Sequence, residues 1–146
     1  MDLKMKDRIQ ESLNTWKQLR QLASLISVST RCEQFIKYEC IGSKMFHGTN
    51  VHAWWVSRDS ANMTYWGGAK SGSEKCACGM TYSCAKPNRP CNCDANDEEW
   101  REDSGLLTDK TRLPVKELRF GDTGRARNFD ELGYHTLGKF KCYGTA

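Results

Sequence analysis

The chain has 146 residues, of which 38% are hydrophobic and 27% are charged, a composition typical of one soluble domain with its own core. The formal net charge is +4 and charges of both signs are mixed along the sequence, so we expect no nucleic-acid partner. No apolar run approaches the roughly 20 residues that a membrane span needs, so we expect no direct membrane insertion of this segment.

Residues 1–28 predict one amphipathic helix, because Ile9, Leu13, Trp16 and Leu19 recur three or four positions apart between polar residues. We expect this stripe to bury against a sheet, so that Trp16→Ala costs about 3–5 kcal/mol. A coiled-coil dimer is the alternative, although the stripe spans only about three heptads. The charged start lacks an apolar segment of the kind that signal peptides carry, so we expect a piece of a longer secreted protein.

Thr30 is placed to cap a short second helix that runs through Cys40. After this helix the sequence pattern predicts short strands and turns, with aromatic and β-branched residues at 52–57 and 63–66. Residues 67–98 are dominated by Gly, Ser, Cys, Asn, Pro and Asp, and a loop of that length normally needs covalent support.

The last third predicts three further elements. Residues 98–107 suggest a short helix with Trp100 buried. Residues 113–120 read as a strand that ends at a Gly-Asp-Thr-Gly turn, and residues 137–142 read as a final strand tied down by Cys142. The expected fold is therefore α+β, with N-terminal helices packed on a mainly antiparallel sheet and a long disulfide-knotted loop.

The eight cysteines are the most informative residues. An even number in a loop-rich setting favours a disulfide framework and an oxidising compartment. An intracellular zinc module is the alternative, with His47, His52 or His135 as further ligands, but Cys-x-Cys pairs fit the usual ligand spacing poorly. The cysteines are Cys32, Cys40, Cys76, Cys78, Cys84, Cys91, Cys93 and Cys142.

Other candidate sites are weaker. Asp94, Asn96, Asp97 and Glu98 place oxygen ligands together as calcium prefers, yet they lack the glycine and the distal glutamate of an EF-hand loop. Asn62 opens an Asn-Met-Thr sequon, so a secreted chain can be glycosylated there. No motif pairs a histidine with a reactive cysteine, so we expect no enzymatic activity and no cofactor.

Several motifs resemble the fibrinogen-like region of contactin-associated proteins, which are neurexin-related adhesion receptors of neural and epithelial junctions. More distantly, the same skeleton resembles the C-terminal half of the fibrillar-collagen C-propeptide. The residues that carry the resemblance are Trp54-Trp55-Val56, Tyr65-Trp66-Gly67-Gly68, Lys75-Cys76-Ala77-Cys78-Gly79, Cys84, Cys91-Asn92-Cys93-Asp94-Ala95, Trp100-Arg101, Asp103-Ser104-Gly105, Leu113-Pro114-Val115, Gly121-Asp122-Thr123 and Cys142, with Cys32, Tyr38 and Cys40 before them.

This resemblance implies a single domain or domain fragment over residues 1–146, in which residues 29–146 form the C-terminal half of a fibrinogen-like domain. It also implies a non-catalytic extracellular module of a cell-adhesion receptor or matrix protein, with a protein or glycan ligand. A collagen-propeptide-type assembly domain is a further reading.

The sequence alone leaves the cysteine pairing open. The collagen propeptides pair their last cysteine with one far upstream. Since the count here is even, we favour Cys32 as the partner of Cys142, and we expect Cys40 to reach into the 76–93 cluster. Two further bridges would then lie among the other four cysteines of that cluster.

Overall fold

A computed structural model describes the backbone of residues 3–125 and 128–144, and the side chains of residues 15–125 and 128–144. Helix α1 (Leu3–Val28) leads into the long strand β1 (Arg31–Ile41). The remaining elements are β2 (Ala53–Val56), β3 (Asn62–Met63), α2 (Ala77–Met80), a 3-10 turn (Cys93–Ala95), β4 (Arg101–Leu107), β5 (Glu117–Phe120), β6 (Gly124–Arg125), β7 (Asp130–Leu137) and β8 (Lys141–Tyr143).

Two antiparallel sheets form the body of the protein. The larger has the order β4-β1-β7-β6, with β8 paired to the first residues of β1. The smaller has the order β3-β2-β5. Strand β1 therefore lies at the centre of the larger sheet and connects the helix to three other strands.

The predicted second helix through Cys40 is wrong, because residues 31–41 form strand β1. Burial along this strand alternates, with Cys32, Ile36 and Tyr38 among the residues that point into the core. That period of two is the signature of a half-buried strand, and pairing on both edges satisfies its backbone.

The predicted helix over 98–107 is also wrong, since residues 101–107 form β4 and pair with β1 throughout. Trp100 is 53% exposed rather than buried. A close backbone approach accompanies β4, because a Cβ on Gly105 would collide with the backbone of Gly67. Only glycine permits that contact.

The described part of the stripe on helix α1 is not buried against a sheet. Trp16 is 64% exposed and Leu19 is 47% exposed, so the expected cost of Trp16→Ala does not apply. Among the described side chains of the helix, only Ile26 is fully buried. The side chains of Ile9 and Leu13 lie outside the described residues.

The core fills the space between the sheets with aromatic rings. Trp55 and Trp66 are fully buried, and each indole N–H donates to a backbone carbonyl at 3.0 Å. The ring of Tyr38, on the larger sheet, stacks on that of Phe120, on the smaller sheet, at a centroid distance of 4.2 Å. These contacts join the sheets into one hydrophobic cluster.

Candidate functional site

All eight cysteines are paired, and no cysteine is free. Cys32 and Cys142 face each other across β1 and β8 with Cα atoms 4.1 Å apart, which is the pair that the sequence analysis favours. Cys40 reaches Cys93 in the cluster. The last two bridges lie within the loop and join Cys76 to Cys91 and Cys78 to Cys84.

The ligand-like cluster formed by Cys76, Cys91 and Asp103 does not offer a zinc site. Their candidate ligand atoms lie within 4.8 Å of one another. However, the two sulfurs are bonded to each other, so neither is the thiolate that zinc requires.

Asp103 instead holds the cysteine-rich loop to β4. It is 3% exposed, and its carboxylate accepts backbone N–H bonds from Asn92 at 2.9 Å and Cys93 at 2.8 Å. Burial raises the pKa of this carboxyl to about 6, while the two N–H donors act in the opposite direction. Both donors are backbone amides of the cysteine-rich loop, so this carboxyl has a structural role: it fixes the loop to β4.

The four calcium candidates do not converge on one point. Asp94 is fully buried and turns its carboxylate inward, where it accepts backbone N–H bonds from residues 45–47 at 2.8–3.1 Å. Burial raises the pKa of Asp94 against these donors. Asp97 pairs with Arg101 at 2.7 Å, while Asn96 and Glu98 are exposed.

Asn62 is exposed on β3, an edge strand of the smaller sheet. The next residue, Met63, points into the core. Solvent access to the asparagine is the condition that an oligosaccharide would need.

The outer face of the larger sheet carries an exposed aromatic pair. Trp100 lies just before β4 and Tyr134 lies on β7, the two strands that flank β1. Their rings stack at a centroid distance of 5.7 Å and an interplanar angle of 19°, although the side chains are 53% and 63% exposed. The pair therefore lies over the central strand and remains open to solvent.

A small recess opens beside this pair. Its volume is about 220 Å³, and it is lined by Glu39, Trp100, Arg101 and Glu102. The strand register sets Glu39 directly opposite Glu102, and like charges so placed repel each other. Lys37 pairs with Glu39 at 3.5 Å, whereas the described residues give the Glu102 carboxylate no ion pair. Arg101 is engaged by Asp97.

We call the aromatic pair and this recess together the sheet surface. Exposed aromatic rings next to the Glu102 carboxylate, which has no ion pair among the described residues, favour a cationic partner group through cation–π attraction and ion pairing. The sequence pattern does not predict this surface, because it places Trp100 at a buried helical position and indicates no strand over 130–137. The alternation of Leu132, Tyr134 and Thr136 was the available signal.

Comparison with known proteins points in the same direction as the motifs. Over 130 residues, 85% of the chain, it is 39% identical to neurexin-4 of Drosophila melanogaster. Over 126 residues it is 36% identical to contactin-associated protein 1 of Mus musculus and of Homo sapiens. This chain is related to those proteins. It spans about a tenth of their length, 10% of neurexin-4 and 9% of contactin-associated protein 1.

No protein-family model matches the chain, and no solved structure matches it. In the described part of the chain, no helix has the length and apolar character needed to cross a membrane.

Proposed function

We propose that the chain is a non-catalytic extracellular recognition module of a cell-adhesion protein. The observation that carries this proposal is the similarity to neurexin-4 and contactin-associated protein 1 over 85% of the chain. The pairing of all eight cysteines supports an oxidising compartment. We further propose that residues 29–146 are part of a fibrinogen-like domain, and that Asn62 carries an oligosaccharide.

Recognition is assigned to the sheet surface. Trp100 and Tyr134 bring large rigid rings that are costly to expose without a partner, and such residues dominate binding energy at protein interfaces. Glu39 and Glu102 add negative charge beside them. The ligand is therefore a protein that presents a basic side chain, rather than an anionic glycan.

A cell-binding assay tests this role. The protein is secreted from cultured cells, labelled, and titrated on a panel of neural and epithelial cells. We expect the Trp100→Ala/Tyr134→Ala double variant to lose roughly tenfold or more in affinity. Tyr82→Ala is the matched control, since Tyr82 is also an exposed aromatic, at 84%, but lies in the cysteine-rich loop.

The result that would overturn the assignment is equal binding by the wild-type protein and the double variant. A thermal melt of each variant shows whether the fold is retained. Because both substituted rings are exposed, we expect melting temperatures close to that of the wild-type protein.

A further inference from the structure

Helix α1 presents a second exposed surface, over the part of the helix whose side chains the structure describes. Trp16 is 64% exposed and Leu25 is 57% exposed, and Lys17 and Arg20 are exposed between them. Residues 15–28 include these two cations and no acidic residue. We call the exposed face that carries Trp16, Lys17, Arg20 and Leu25 the helix surface. Most of the stability of a helix in a protein comes from the packing of an amphipathic face, so a partner on the helix surface would stabilise α1.

The helix surface complements the sheet surface in both chemistry and charge. One offers exposed apolar side chains with neighbouring cations, and the other offers an exposed aromatic pair with carboxylates. Trp16 and Arg20 are four residues apart, so they lie on one face of the helix about 6 Å from each other. That spacing suits the sheet surface, where the aromatic pair and the recess are adjacent.

We propose that helix α1 of a second copy of this chain docks on the sheet surface, with Arg20 in the recess between Glu39 and Glu102 and Trp16 against the Trp100–Tyr134 pair. A guanidinium there supplies an ion-pair partner for the Glu102 carboxylate, which lacks one among the described residues, and stacks on the indole. Because each copy carries both surfaces, two copies exchange helices in a symmetric dimer. The proposal rests on the recognition role assigned to the sheet surface and names its partner.

Analytical ultracentrifugation of the full chain tests the dimer. We expect the wild-type protein to form a reversible dimer with a dissociation constant below about 0.5 mM. This constant should increase as the salt concentration rises. Glu102→Lys and Arg20→Glu are each expected to raise the dimer dissociation constant roughly tenfold or more. The matched controls are Glu74→Lys and Lys70→Glu, which reverse charges elsewhere on the protein and should leave the constant unchanged.

A mixing experiment identifies the two surfaces as partners. When the Arg20→Glu and Glu102→Lys variants are combined, the new carboxylate on the helix of one chain meets the new ammonium group on the sheet of the other. The second contact of the same dimer keeps its native arginine and glutamate. The mixture is therefore expected to dimerise with nearly wild-type affinity, although each variant alone does not.

Three results would overturn the proposal: a monomer at every concentration, a dimer that Glu102→Lys leaves intact, or variants that fail to rescue each other. An intact Glu102→Lys dimer would instead indicate helix-to-helix pairing. A monomer that still binds cells through Trp100 would refute the homotypic contact and leave the recognition role standing.

Discussion

Acidification should stabilise this fold through Asp103, the buried carboxyl that anchors the cysteine-rich loop. Burial raises its pKa to about 6 from an ordinary value of 3.8, against the hydrogen bonds from Asn92 and Cys93. The folded protein therefore holds this proton over a range in which the unfolded chain has released it. Replacing Asp103 with Asn removes the titrating group and keeps its size.

The sign and the magnitude of this pH effect follow from the difference in proton binding between the folded and the unfolded protein. Because the folded state binds more protons between about pH 4 and pH 6, the free energy of unfolding falls as the pH rises through that range. The difference between the two pKa values corresponds to about 3 kcal/mol. The stabilising contribution is complete below about pH 4 and is lost once the pH exceeds about 6.

Urea denaturation at a series of pH values from about 4 to about 8 measures this effect. The quantity to follow is the free energy of unfolding of the wild-type protein minus that of Asp103→Asn, which cancels the other titrating groups. It should fall by about 2 kcal/mol from about pH 4 to about pH 7, since part of the total change lies below about pH 4. Glu74→Gln controls for the loss of one carboxylate elsewhere. A difference that stays constant, or that rises with pH, would refute the reasoning.

Three further predictions concern covalent and steric features. Replacing Cys32 and Cys142 together with Ala should cost about 5 kcal/mol in chemical denaturation, because the bridge closes a separation of 110 residues; an unchanged midpoint would contradict this. Gly133→Ala should cost about 1–3 kcal/mol, since a Cβ there would overlap a buried tyrosine ring, whereas Gly124→Ala, with open space around it, should cost less. Asn62→Gln should remove a glycan-sized mass from protein secreted by animal cells, and equal masses before and after glycosidase treatment would refute occupancy.

The sequence alone indicated a disulfide framework and the apolar composition of the core, while it left the cysteine pairing open. The even cysteine count pointed to disulfides, and the loop over 67–98 contains five of the eight partners. The placement of Cys142 in a final strand agrees with its bridge to Cys32. Of the adjacent tryptophans Trp54 and Trp55, strand alternation requires that at least one be buried, and Trp55 is fully so. These features depend on local pattern and residue type, which a sequence displays directly.

Only the tertiary structure shows that residues 31–41 and 101–107 form strands, and that the described face of helix α1 is exposed. Residues 31–41 become a strand because they pair with β4, β7 and β8, and these contacts are distant in sequence. Trp100 stacks on Tyr134, which belongs to a strand roughly 30 residues later, so the residues next to Trp100 in the sequence do not show its surroundings. Helix amphipathicity shows that a face can be buried, but only the arrangement of the other elements determines whether anything in the same chain covers it.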